Sequence, residues 1–349
     1  LVELVHKNQP HALVSGRAGH GLGDYQTLGD MEVPQHNVEG MWESVDTTND
    51  SWAYAWYDEN WKSPREILRR LISCVGRGGT YMLNIGPRGD GSVPQRAVTA
   101  LSGAGEWIGR YPQVVYDAEA SPWKHALPWG DVTRKGNTLF LCVFDWPADG
   151  RLYLPNLKTK IKSAALYNGD QTEAVKWESS ENWTVIDLPP GAPEKLVSVI
   201  QVDLESEPDV DPIWAVAPNQ TTEILAEFAE VSLATKDVKR WMEKFGEWKR
   251  VIRVHEFKEG GTAAWEVDVH KAGDYSVSLT YSGEGRLVWG VGVEGGQQIQ
   301  NQQNSSHNYQ SFPIGWLNFP EPGRYTVKVK CLEGEKETAS LSAIHFEPR

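Results

Sequence analysis

The sequence predicts an α/β segment followed by two all-β units. Two observations carry that prediction. Over residues 1–115, apolar residues recur at helical spacing around short, mostly apolar runs. From about residue 116 the period falls to two, and Gly, Pro and Asn separate the runs. A chain of 349 residues has room for two or three cores of this kind.

In order, Leu1–Asn8 reads as the end of a helix and His11–Ser15 as a short strand. Gly16 to about Asp50 reads as a long loop rich in Gly, Asp and Thr, and loops of that length are commonly functional. Ser63-Pro64-Arg65-Glu66 is a capping box that starts a helix, with Ile67, Leu68, Leu71, Ile72 and Val75 on one face. Gly76, Gly78 and Gly79 end it, and Thr80–Ile85 follows as a strand buried on both faces. After the turn Gly86–Gly91, Pro94 opens a second helix to about Tyr111, with Val98, Leu101, Trp107 and Ile108 facing inward. This order fits a (β/α) barrel or a doubly wound sheet.

Within 116–205, Leu139–Phe144, Arg151–Leu154, Ser163–Tyr167 and Val197–Val202 read as strands of an antiparallel sandwich. Residues 206–218, rich in Pro and acids, read as a linker. Residues 219–349 form the second β unit, with strands at Ala263–Val269, Tyr275–Tyr281, Leu287–Val293, Gly315–Phe319, Arg324–Cys331 and Ala339–Phe346. Turns at Gly273-Asp274 and Pro322-Gly323 before Tyr-centred strands suit a jelly roll.

Net charge is −13 with no outstanding Lys/Arg run, which speaks against nucleic acid and acidic membrane surfaces as partners. No apolar run approaches the roughly 18 residues of a membrane span. Sixteen Trp is far above ordinary usage, and indole faces suit either sugar rings or sandwich cores. Cys74, Cys142 and Cys331 are odd in number and far apart, as free buried thiols are. Gly86–Gly91 lacks the Gly-Lys-Ser/Thr of a phosphate loop, and the nine His show no metal-ligand spacing, so neither a cofactor nor a metal is expected.

Three blocks stand in order: Gly23-Asp24-Tyr25-Gln26-Thr27-Leu28-Gly29-Asp30-Met31-Glu32-Val33-Pro34; Met41-Trp42-Glu43 through Ser51-Trp52-Ala53-Tyr54; and Gly78 through Gly91 with Gly105-Glu106-Trp107-Ile108. Together they resemble glycoside hydrolase family 29, the α-L-fucosidases, over roughly residues 1–205. The resemblance implies a partial (β/α)8-type barrel over 1–115, followed by the family's β domain. A complete barrel needs about 250 residues, so the amino-terminal half of the barrel is expected to lie outside this sequence. It also implies retaining hydrolysis of terminal α-L-fucose by two carboxylates, one a nucleophile and one an acid that then serves as base. The nucleophile is expected upstream, because no residue here matches it.

On the same resemblance Asp30 is the candidate acid/base and Glu32 its rival, the alternative for both being solvated loop acids. Glu43 either tunes the acid, is itself the acid/base, or forms a buried salt bridge. Trp42 and Trp52 are candidate walls for the C5 methyl of fucose, with core packing as the competitor for Trp52. Arg17 would hydrogen-bond a sugar hydroxyl or pair with Asp24. The partners implied are fucosylated oligosaccharides or glycoconjugates, and a homo-oligomer or partner chain is one way to complete the barrel. Family members are often secreted, periplasmic or lysosomal, and this sequence assigns no compartment.

The last unit resembles carbohydrate-binding sandwiches loosely. Its Trp241, Trp248, Trp265, Trp289, Trp316, Tyr281 and Tyr309 are candidates for sugar stacking or core, and Gln297–Asn308 reads as a mouth loop or a solvated hairpin. A non-catalytic carbohydrate-binding protein or an inactive fucosidase fragment is the competing function.

Overall fold

A computed structural model describes residues 1–19, 21–180, 182–244 and 247–349. Helix α1, Val2–Asn8, opens the chain. The expected strand His11–Ser15 reduces to one bridge between Ser15 and Tyr25. Strands β1 (Gln26–Thr27) and β2 (Trp42–Thr47) then fall inside the stretch expected as a single loop. β2 is buried along nearly its whole length although four of its six residues are polar, so no apolar alternation betrays it.

Helix α2 spans Pro64–Gly76 and carries the expected capping box, Ser63 accepting from the Glu66 amide while Glu66 accepts from the Ser63 amide. β3 follows at Thr80–Asn84, then α3 at Gln95–Arg110 and the short α4 at Pro112–Val115. The three strands are parallel in the order β1-β2-β3, with Glu43 opposite both Thr27 and Thr80.

The inward face of α3 differs from the expected one. Ala97, Ala100, Ala104 and Trp107 are buried, whereas Val98 is exposed. Small residues let α3 lie close to α2, where a side chain added at Gly103 would meet Pro64 at 2.8 Å. Ile67, Leu68 and Ile72 of α2 and Trp107 of α3 share one core with Phe140, Cys142, Tyr167 and Val199 of the next unit. The Trp107 indole N–H donates to the Val197 carbonyl at 2.9 Å. The helices are therefore packed between the parallel strands and a β-sheet.

That sheet runs Gly130–Lys135, Thr138–Val143, Ser198–Leu204, Ile161–Asn168, Gln171–Ala174, all neighbours antiparallel. Arg151–Pro155, Trp183–Asp187 and Trp177–Ser179 form the facing sheet. Trp123, Trp129 and the aliphatic residues between the layers fill this sandwich.

Residues 206–218 are not a free linker. Val210 bridges Leu157, Asp211 pairs with Arg324, and Trp214–Val216 adds a parallel edge strand to the last unit. The prolines that suggested a linker sit outside that short strand, as an edge position permits.

The last unit is two six-stranded sheets over a core of Trp265, Tyr281, Trp289, Phe319, Phe346 and aliphatic residues. Trp265, Trp289 and Tyr281 are thus core, whereas Trp316 is exposed. Trp248 lies with its side chain outside the described residues. The Gln-rich run is not a mouth loop: Gln298–Ser305 is a strand paired with Gly285–Val293. Cys74, Cys142 and Cys331 are buried and unpaired. Among the described residues no helix is long and apolar enough to cross a membrane.

Candidate active site

Beyond Thr27 the chain keeps bonding to β2: the Leu28 amide donates to Glu43 and the Met31 amide to Val45. Between those two bonds the chain makes a turn, with Asp30 and Met31 at its centre and the Glu32 amide donating to the Gly29 carbonyl at 3.0 Å. Met31 is held at φ 61°, a left-handed conformation uncommon outside glycine. The twist sends Asp30 and Glu32 different ways.

Asp30 meets the guanidinium of Arg17, whose Nε also donates to the Thr27 hydroxyl at 3.3 Å. Arg17 follows the Ser15–Tyr25 bridge in a single 3-10 turn, Gly16–Ala18. Both residues therefore stand past the carboxyl ends of adjacent parallel segments, which is where parallel β/α architectures place their chemistry. Asp24 is not the partner of Arg17. Its carboxylate accepts from the Val14 amide at 2.7 Å and from His6 at 3.0 Å, and these bonds hold it below the usual carboxylate range.

Glu32 turns the other way. One oxygen accepts from the Gly29 amide at 2.9 Å, and the other meets Arg250 of the last unit at 3.0 Å. Its backbone carbonyl accepts from Ser44, on the face of β2 that carries Asp46.

Glu43 lies at the amino-terminal end of β2. It is the second residue of β2, about 13 Å by strand rise from Thr47 at the carboxyl end. There it lines a cavity of about 740 Å³ with Leu13, Tyr25, Gly79 and Thr80. Trp42 is buried beside it, its indole N–H donating to the Arg77 carbonyl at 3.3 Å, and it fills the space a side chain at Gly79 would need. It packs the fold, and its ring also borders that cavity. The cavity around Glu43 includes neither Asp30 nor Glu32.

Asp46 is fully buried. Tyr81 donates to it at 2.7 Å, and Lys62 and Arg70 lie at 3.1 and 3.3 Å. At the carboxyl end of β2 and β3, Asn84 donates to the Thr47 hydroxyl and to the Trp52 carbonyl. This ties down the loop between β2 and α2. Trp52 itself is half-buried, and the exposed aromatics of that loop are Tyr54, Trp56 and Tyr57. Arg88, from the loop after β3, lies over the Tyr54 ring at 5.3 Å. In the sequence these rings stand in the run Trp52-Ala53-Tyr54-Ala55-Trp56-Tyr57, of which the second motif block takes in only the first half.

The protein family described as Alpha-L-fucosidase matches residues 1–113. Over those residues the chain is similar to the α-L-fucosidase family. The alpha-L-fucosidase of Dictyostelium discoideum is 25% identical over 183 residues, 49% of this chain and 39% of that protein. The human tissue alpha-L-fucosidase is 28% identical over 185 residues, again 49% of this chain and 38% of that protein. The chain thus spans about two-fifths of the length of these curated relatives. The crystal structure of alpha-L-fucosidase from Vibrio sp. strain EJY3 matches with TM-score 0.76 at 23% identity, over 99% of this chain and 62% of that one. That likeness establishes the fold as fucosidase-like, last sandwich included. Alpha-L-fucosidase isoenzyme 1 from Paenibacillus thiaminolyticus matches 59% of this chain and 53% of its own, with TM-score 0.54 at 25% identity.

Proposed function

We propose that this chain carries one side of the site of a retaining α-L-fucosidase, which releases terminal α-L-fucose from glycans. The observation that carries the proposal is the Arg17–Asp30 pair beyond the carboxyl ends of adjacent parallel segments, inside the family-matched residues. β1, β2 and β3 with α2 and α3 are then the closing part of a (β/α)8-type barrel. The remaining strands, and the nucleophilic Asp, come from sequence outside this chain, either preceding it or on a partner subunit.

In this reading Asp30 is the acid that protonates the departing oxygen and then deprotonates water. Arg17 orients that carboxylate, and a sugar hydroxyl can share its guanidinium. Tyr54 and Trp56, on the loop after β2, offer exposed apolar ring faces for the C5 methyl and C–H face of fucose. Glu32, with both oxygens engaged, anchors the loop and serves less well as an acid. Glu43 belongs to the stability of the other end. No step asks for a metal or an organic cofactor.

Hydrolysis of an aryl α-L-fucoside by the protein as its gene encodes it tests the reading. Asp30→Asn is expected to lower kcat/KM on the order of 10²–10⁴-fold, the range of general acid–base catalysis. Glu43→Gln is expected to stay within a few-fold. Binding of fucose without turnover by the wild type would favour a carbohydrate-binding protein instead.

A further inference from the structure

One sheet of the last sandwich carries a trough on its outer face. Strand Gly285–Val293 lies there between Gln298–Ser305 and Gly323–Gly334. Its Trp289, Val291 and Val293 belong to the core, so Gly290 and Gly292 alternate to the outside. In register, Gln300, Gly290 and Lys330 stand side by side across the three strands, and so do Gln298, Gly292 and Lys328. The same triplet of amide, glycine and lysine thus occurs twice, the two rows about 7 Å apart along the strand. Above the glycines lies a cavity of about 320 Å³, with Leu332 at one end and Glu294 and Gly295 at the other.

Glycine inside a strand weakens it, and it often marks a place where a ligand comes close. Neither Gly290 nor Gly292 has a positive φ, so the backbone does not demand glycine at either position. The nearest atoms that a Cβ would meet belong to flexible side chains, Leu332 at 2.9 Å from Gly290 and Gln298 at 2.8 Å from Gly292. The floor continues low onto the next strand, where Ala264 lies opposite Lys328. Over it a second cavity, of about 410 Å³, adjoins the first at Lys328 and Glu294 and ends on Trp214 and Phe228. Both cavities fall within the roughly 300–1,000 Å³ usual for ligand sites.

The chemistry of the walls selects the occupant. Among the described residues, the side chains of Gln298, Gln300 and Lys330 have no hydrogen-bond or ionic partner. Lys328 is paired with Glu294 at 2.7 Å. Amides donate and accept at once, an ammonium donates and a carboxylate accepts, which together match vicinal hydroxyls. The Glu294 carboxylate makes the trough a poor seat for an anion. A protein partner would want an apolar, charge-depleted centre, which the two lysines deny it. We propose that this trough binds a neutral oligosaccharide, laid over Gly290 and Gly292. It shares no residue with the site around Asp30, so it stands without the fucosidase reading.

The test titrates the full-length protein by calorimetry with neutral oligosaccharides of two to six hexose or N-acetylhexosamine units, each with and without a terminal α-L-fucose. The Asp30→Asn background keeps the fucosylated probes intact. At least one probe is expected to bind, with an affinity that does not fall as salt rises. Gly290→Val fills the trough and is expected to weaken that binding about tenfold or more. A β-branched residue suits an exposed strand, so the urea midpoint is not expected to fall. Gln300→Ala, an exposed change that leaves the backbone alone, is expected to weaken binding about three- to tenfold and decides the matter if Gly290→Val does not fold. In the Asp30 wild-type background, neither change is expected to move kcat/KM on an aryl α-L-fucoside more than a few-fold. Binding that depends on Gly290, in a wild type without hydrolysis, would keep the trough and remove the fucosidase reading. No bound probe, binding untouched by both variants, or binding that collapses with salt would overturn the trough proposal and leave that reading standing.

Discussion

Asp46 shows how an acid in a family-matched block can be structural. It has no exposed side-chain surface, and Tyr81, Lys62 and Arg70 surround it. Burial, and next the Asp46 charge, push the Tyr81 phenol well above its ordinary value, so it stays a donor at any working pH. Asp46→Asn leaves two cations without their counter-charge in a dry site, a change of about 3–5 kcal/mol for buried pairs. Lys62 and Arg70 are partly exposed and can rehydrate, so the lower end is expected. Urea unfolding of the variant measures it, and a loss below about 1 kcal/mol would mean that the cluster is not stabilising. At this scale the sequence was partly legible. The Ser63–Glu66 box could be read from four letters because its bonds are local. The roles of Glu43 and Glu32 could not, because they depend on strand register and on Arg250, more than two hundred positions away.

At the level of elements, strands with one apolar face were legible and the others were not. Thr262–Val269 and Gly285–Val293 stand almost where their alternation put them. Gln298–Ser305 is made of amides that have little intrinsic preference for strands, and its neighbour's ladder holds it extended. The two-stranded ribbon of Thr235–Lys244 and Glu247–His255 has no face buried against a core along most of its length, so no period marked it.

The joint between the two sandwiches carries a pH-dependent element. His125 stacks on Trp214 of the last unit's edge strand, ring centroids 3.9 Å apart, and its Nδ1 lies 2.8 Å from the Ala126 carbonyl. Burial lowers its pKa from 6.5 to about 4. The native state therefore keeps it neutral where the unfolded chain would already be protonated. The stabilisation is whole above pH 6.5 and fades as the pH falls toward 4, by up to about 3 kcal/mol. Urea midpoints across that window should fall more steeply for the wild type than for His125→Phe. Equal slopes would show that this histidine does not carry the effect.

Over the whole molecule, the family-matched segment does not stand alone. α2 and α3 bury their apolar faces against the first sandwich, and the buried Arg77–Asp131 pair bolts α2 to it. The last sandwich reaches the turn after β1 through Arg250 and Glu32. Trp107→Ala should cost about 3–5 kcal/mol as a large core truncation. Because its indole also bonds Val197, calorimetry should show helices and first sandwich losing stability together. Separate transitions would break that coupling. The order α/β, then sandwich, then sandwich was legible in the sequence because periodicity survives any arrangement of units. How the units bear on one another was not legible, since those contacts join distant side chains.

The most direct measurement is a crystal structure of the full-length protein with L-fucose bound. The account predicts the sugar beside Asp30 and Arg17, at the carboxyl ends of the parallel strands, with Tyr54 or Trp56 against its methyl-bearing side. Fucose seated in the cavity around Glu43 and Gly79, or solely on the last sandwich, would contradict it.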